Sequence, residues 1–474
     1  MTQQQARQGR LSQIVALLKQ AIKGEDLDFT QGSIRRAVLL LAIPMMLEMA
    51  MESVFALVDL YFVGHLHNSS HAIQTVGLTE SVLTIIYSLA IGMSMAATAV
   101  VARRIGEKNP EAAAKAGVQA IVIAIAVNIV ISAVGFIYAR QILLLMGAST
   151  ETADHGTTFA RIMMGGSLII VLLFLINGIF RGAGNAAIAM KSLWIANIAN
   201  IILCPILING FGPVPAFGLT GAAIATTIGR GIGVLYQLYH LFIGNSVIRI
   251  RLTYFVPDLT QIPALLKIAV PGIFQFIIAS CSWIFLAQLV ATTGGDQGSA
   301  GYQTALRLMM FFMLPAWGMS NAAATLVGQN LGANQLERAE KSVMKTAKYI
   351  VVYMATVMIF TFAGGRYFIA FFTNDLAVQE FALRALQIMS CGYICYGISM
   401  VMMSTFNGAG DTWTPTWLNF FGFWMFQIPL AYILAKYAGI GPTGVFIAIP
   451  VAETALAIGA FLLFRRGKWK AIKV

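Results

Sequence analysis

This sequence predicts an all-α polytopic membrane protein built as two related helix bundles, and three observations predict it. Hydrophobic residues make up 58% of the chain and charged residues only 11%, a balance foreign to a water-soluble chain of 474 residues. Apolar stretches long enough to cross a bilayer recur along the whole length. Landmarks of the first half then return in the second half in the same order.

Taken in order, the chain opens on a polar, basic segment, MTQQQARQGR, which does not have the build of a cleavable signal. Residues 1–33 are read as a cytoplasmic N-terminal segment. Twelve transmembrane helices are expected, at roughly 38–62, 76–100, 117–139, 158–180, 187–208, 218–243, 264–292, 302–328, 343–362, 380–404, 414–436 and 443–464. They divide into an N-lobe over residues 34–244 and a C-lobe over residues 263–464. A linker at 245–262 joins the lobes, and a basic tail follows at 465–474.

The division into halves rests on four repeated landmarks. The turn VVARRIGEKNPEAA reappears as LVGQNLGANQLERA, pairing Val101 with Val327, Gly106 with Gly332 and Glu111 with Glu337. FRGAGN around Gly182 returns as FNGAGD around Gly408, Pro44 returns as Pro271, and Cys204-Pro205 returns as Ile428-Pro429. An even number of spans per half gives both the same orientation, so the pseudo-symmetry axis runs along the membrane normal. A substrate site then belongs in the central cleft between the two six-helix bundles.

The net charge of +12 is topological. Most of the 31 Lys and Arg residues fall in the termini and the even-numbered connections, which places both termini in the cytoplasm, as for a protein of the cell (inner) membrane. Nucleic acid is not implied. Four cysteines, Cys204, Cys281, Cys391 and Cys395, lie inside spans and read as small buried apolar side chains. No metal motif, nucleophile–base pair or phosphate-cradling loop is present in the sequence, so neither an enzyme nor a cofactor is expected.

The first span carries the chemistry. Glu48, Glu52 and Asp59 lie within an otherwise apolar run, and at about 100° per residue all three share one face of the helix. A charge at mid-membrane costs about 2.5–3.5 kcal/mol unless it is protonated, paired or hydrated. The stripe therefore predicts a polar, cation-attracting cavity, with proton carriage favoured because clustered carboxylates disfavour each other's ionisation. The second half lacks this stripe: Gln275, Ala279 and Leu286 stand at the corresponding positions. Coupling chemistry is accordingly expected in the N-lobe.

Further polar residues within spans complete the candidate list. Asn197 and Asn200 precede Cys204 and Pro205 in the fifth span. Arg230 and Glu453 stand at repeat-related positions and form a candidate ion pair between the lobes. Glu80 and Arg307 are near-equivalents; Arg230 and Arg307 are both candidate partners for the acids, and Arg307 a candidate for lining the outer cavity.

The motifs LVDLYFVG, VVARRIGEKNPEAA, FRGAGN, NIILCP and FNGAGD, with the two-lobe layout, resemble the multidrug and toxic compound extrusion (MATE) transporters over nearly the whole chain. That resemblance implies a V-shaped cleft and a secondary active antiporter that exports amphipathic or cationic organic compounds against inward H+ or Na+. It implies for Asp59 the role of the family's coupling Asp. Asn200 matches an Asn that assists in one branch, whereas Cys204 replaces the Asp one turn on, so that site is incomplete here. Glu52 and Glu48 are read as compensating for it, Asn200 as a neutral ligand, and Asn197, Cys204, Gln275, Arg307 and Glu80 as supporting or substrate-facing groups. Partners are expected to be small molecules and membrane lipids, with the protein working as a monomer. The rival reading is a flippase for a lipid-linked precursor or metabolite.

Overall fold

The computed structural model describes residues 3–24, 28–64, 69–244 and 246–474, and among these the chain is helical, with one isolated bridge between Phe211 and Val214. The α-helices are α1 (Gln3–Lys23), α2 (Ile34–Gly64), α3 (Ser69–Gly106), α4 (Pro110–Ile137), α5 (Ala139–Leu145), α6 (Thr150–Gly165), α7 (Ser167–Gly182) and α8 (Ala186–Asn209). They continue with α9 (Leu219–Phe242), α10 (Ile262–Gly332), α11 (Leu336–Phe372), α12 (Leu376–Ser390), α13 (Tyr393–Ala409), α14 (Trp413–Asn419), α15 (Ile428–Tyr432) and α16 (Pro442–Arg465).

Local sequence fixes the helix starts. Asn109 caps α4 by accepting the Ala112 N–H at 3.0 Å, with Pro110 at the first helical position, where no backbone donor is needed. Ser149 and Asp375 cap α6 and α12 in the same way. Among the described residues nine helices are long and apolar enough to cross a membrane, or ten if the pair α12 and α13, bent by 55°, counts as one span.

Several expected spans take a different form. Helix α10 has 71 residues, about 107 Å at 1.5 Å per residue, which no bilayer core of about 30 Å accommodates as one span. Gly295, at φ 62° and ψ −162°, breaks it into two arms where the sequence suggested separate seventh and eighth spans. The fourth expected span is divided at Gly166 into α6 and α7. Around Pro429 the eleventh widens into π-helical turns at Phe420–Gln427 and Ile433–Tyr437, since proline supplies no N–H. Cys204 is buried as expected, but Cys281 and Cys391 are exposed and Cys395 half-exposed, because their helix faces turn outward instead of into a bundle.

Two large hydrophobic cores result, with two small clusters beside them, and the large ones exchange helix ends. The start of α2, through Val38, Leu41 and Met45, packs into the core of the second half, while Leu265, Ile268 and Ala269 at the start of α10 pack into that of the first. The linker is pinned by buried Gln119, whose Nε2 donates to the carbonyls of Tyr254 and Val256, each at 2.8 Å, and whose Oε1 accepts from the Asp258 N–H.

The halves meet most closely at their basic ends. Gly106 lies against the Gln329 carbonyl and Gly332 against the Arg103 carbonyl, a reciprocal contact between repeat-related residues. Gly182 on the Thr98 carbonyl and Gly408 on the Ala324 carbonyl repeat the pattern within each half. Gln329 and Thr325 also donate to the carbonyls of Gly182 and Arg181 at 3.0 and 3.1 Å. The same end is tied down by Arg103, which donates to the Ile472 carbonyl at 2.6 Å, and by the Lys108–Asp28 pair at 2.6 Å. Burial alone would raise the Asp28 carboxyl, but Lys108 and the donors of Thr30 outweigh it and hold it below the usual carboxylate range.

A Cβ at Gly332 would overlap the Arg103 carbonyl, which is backbone and cannot swing away. Gly332→Ala is therefore expected to destabilise the joined halves by about 1–3 kcal/mol. A lower thermal midpoint of the detergent-solubilised protein checks this; an unchanged midpoint would show that the ends are free to separate.

Candidate functional site

Helix α2 brings Glu48 and Glu52 one turn apart, but their surroundings differ. The Glu48 side chain has no exposed surface. It accepts from Asn177 Nδ2 at 3.0 Å and faces the Arg181 guanidinium at 3.4 Å. Arg181 donates in turn to Ser94 Oγ at 2.9 Å. Asn177 Oδ1 receives Ser192 at 2.9 Å and Gln237 at 2.6 Å. A polar chain thus links α2 to α7, α8 and α9, and it seals Glu48 into the bundle.

Glu52 lies at the edge of this chain, with its side chain 19% exposed. It accepts from Asn197 Nδ2 at 3.0 Å and stands 4.0 Å from the Arg230 guanidinium. Arg230 also lies over the rings of Tyr87 and Phe55, at 5.5 and 5.9 Å from their centroids, a placement that stabilises a cation through the ring quadrupole. Glu52, Arg230, Tyr87 and Phe55 open onto a cavity of about 550 Å³ bounded by α2, α3, α6, α9 and the second arm of α10. Glu80, Thr226 and Arg307 also line it, and Asn200 reaches it by donating to Thr226 at 2.9 Å.

A second cavity, of about 290 Å³, lies mainly in the other half among α10, α13, α14 and α16, with Met95 of α3 also on its wall. Gln275 and Glu453 line it, together with Trp283, Tyr396 and several methionines. A small pocket of about 40 Å³ beside Arg181, Trp317 and Asn407 sits between the halves.

One expectation changes. The candidate pair between Arg230 and Glu453 is not formed: Arg230 goes to Glu52, and Glu453 Oε2 accepts from Ser399 at 3.4 Å. Positions related by a repeat occupy equivalent places in separate bundles, so they meet only close to the shared axis. Of the two arginines offered as partners for the acids of the first span, Arg230 stands at Glu52, while Glu48 faces Arg181, and the larger cavity carries Glu52 and Glu80 beside Arg230 and Arg307. Asp59 lies on α2, but its side chain falls outside the described residues.

Arg181 was missed. At the end of a span its charge reads as a marker of orientation, and only its place in FRGAGN set it apart. Cys204 is buried beside Asn200 on α8. Among the described residues no group of three or more His, Cys, Asp or Glu is placed to hold a metal ion.

The family model MatE matches this chain twice, over residues 44–206 and 271–433. The probable multidrug resistance protein NorM of Thermotoga maritima is 24% identical over 437 residues, covering 92% of this chain and 93% of that one. The multidrug export protein MepA of Staphylococcus aureus is 24% identical over 435 residues, covering 92% and 94%. Among solved structures, a MOP superfamily transporter from Pyrococcus furiosus, described as having a binding pocket of reverse polarity, superposes with a TM-score of 0.88 at 26% identity, covering 95% of this chain and 99% of that one. An outward-facing multidrug resistance MATE family transporter superposes with a TM-score of 0.88 at 27% identity, covering 93% and 97%.

Proposed function

Because the chain belongs to the MatE family of multidrug transporters, we propose that it is a secondary active antiporter exporting amphipathic or cationic organic compounds in exchange for inward protons. It is an integral membrane transporter and not an enzyme, and the family requires no cofactor. In our reading the lobes are residues 34–244 and 263–464, both termini are cytoplasmic, and a single chain suffices, solvated by membrane lipids.

One observation carries the proposal. The halves are locked together at their basic ends, whereas Glu52, Glu80 and Arg230 open onto a cavity of about 550 Å³ toward the opposite ends. Closure at one face with a charged cavity at the other is one end state of alternating access. Asp59 acts as the main coupling carboxylate, one turn or more beyond Glu52 on the same helix.

The proton is favoured over sodium by the neighbours of Glu52. An amide N–H and a guanidinium compensate a carboxylate, but neither offers oxygen to a metal cation. A lipid-linked precursor would require a cavity dominated by positive charge, and here Arg230 and Arg307 are matched by Glu52 and Glu80.

Efflux of a fluorescent organic cation from proteoliposomes, driven separately by a proton gradient and a sodium gradient, tests the reading. Proton-driven efflux is expected. Efflux driven by sodium alone would replace the coupling ion, and no efflux under either gradient would favour the flippase.

A further inference from the structure

The two halves differ in one pair of positions, and the difference leaves a gap. In the first half, Glu52 on α2 is met by Arg230 on α9 at 4.0 Å, and the arginine lies over Tyr87 and Phe55. The repeat places Ala279 where Glu52 stands and Glu453 where Arg230 stands. The second half therefore keeps a carboxylate, moved to the other helix, and has lost the residue that would face it.

The structure reports the consequence. Glu453 is 2% exposed, takes a hydrogen bond only on Oε2, from Ser399, and its Oε1 has no partner. Among the described residues no lysine or arginine lines the cavity of about 290 Å³ that it faces, and Ala279 forms part of the wall. Gln275 Oε1 and Asn407 Oδ1, both buried in the same lining, are likewise unpartnered acceptors. Three buried oxygen acceptors without a donor among the described residues thus border one pocket, walled by Trp283, Phe276 and Tyr396.

We propose that this cavity is the binding site for an organic monocation of two or three fused rings, whose charge takes beside Glu453 the place that Arg230 takes beside Glu52. The aromatic walls contact the rings of the ligand, and the methionines, flexible at three torsions, adapt to differing outlines. The cation site then lies apart from the coupling acids of α2, so substrate and proton do not compete for one carboxylate. This inference deepens the antiport reading and rests on it only for the direction in which the cation moves.

Equilibrium binding to the purified full chain in lipid nanodiscs, without any ion gradient, tests it. The probes are N-methylacridinium and its uncharged analogue of the same outline, 9-methylanthracene. The wild-type protein is expected to prefer the cation by about tenfold or more. Glu453→Gln abolishes the preference and leaves 9-methylanthracene binding unchanged, whereas Glu52→Gln leaves the preference intact. Ala279→Lys, which supplies an internal cation on the other wall, also abolishes the preference and keeps the test available if Glu453→Gln fails to fold. A preference that survives both cavity variants, or that is lost in Glu52→Gln, overturns the proposal. Intact preference with no gradient-driven efflux would overturn the antiport reading and leave the site standing.

Discussion

Replacing Arg181 with methionine is expected to destabilise the protein by about 3–5 kcal/mol, enough to deplete the folded form from the membrane. The reason lies in the burial of its partner. The Glu48 side chain has no exposed surface, and Arg181 itself is only 10% exposed, so removing the guanidinium strands a carboxylate where neither water nor another cation among the described residues compensates it. Asn177 would still donate its one hydrogen bond, and Ser94 would lose the donor it receives. The double variant Glu48→Gln with Arg181→Met removes the stranded charge and is expected to recover most of the loss. The yield and thermal midpoint of the solubilised protein measure both effects. If Arg181→Met folds as well as the wild type, Glu48 is already neutral in the bundle and the pair contributes nothing.

Much of the fold was legible because the bilayer leaves few options. A long apolar run must be a helix, since its backbone donors and acceptors find no other partners in lipid. Repeated landmarks such as Gly106 and Gly332 pointed to two halves, and the structure adds why glycine stands there: each admits a backbone carbonyl of the other half. Glu48 and Glu52 stood out for the same reason, as charges in an apolar run. Arg230 stood out in the same way, as a charge within a span, but which acid it meets did not, and Arg181 did not stand out at all, because both come from helices distant in sequence and the pattern within one helix says nothing of which neighbour it faces. Glu453 shows the limit most clearly. Its repeat relation to Arg230 suggested attraction between opposite charges, but contact depends on distance from the axis, and the informative comparison was with Ala279, the small residue left beside it. The break at Gly295 and the π-helical turns around Pro429 were also beyond reach, as hydropathy reports composition over a window and not the path of the backbone.

The acids of α2 are expected to separate by function under a proton gradient. Asp59→Asn and Glu52→Gln should each reduce proton-driven efflux in proteoliposomes to the leak of protein-free vesicles, while Glu48→Gln should retain it. A coupling carboxylate must exchange protons with water in at least one conformation. Glu52 satisfies this through its exposed edge and the cavity of about 550 Å³ that it borders. Glu48 does not, because the chain through Asn177, Arg181 and Ser94 closes around it. In the antiport we propose, Arg230, 4.0 Å from Glu52 and resting over Tyr87 and Phe55, is the means of coupling. When Glu52 takes up a proton, the guanidinium loses part of its counter-charge, and the balance of contacts holding α2 against α9 shifts. A neutral amide at position 52 fixes that balance in its protonated form, so the cycle stops even where substrate still binds. Glu48→Gln changes a group that holds the bundle together, and its effect should appear in stability instead of turnover. Normal efflux by Glu52→Gln, together with lost efflux in a well-folded Glu48→Gln, would reverse these assignments and make the sealed chain the proton path.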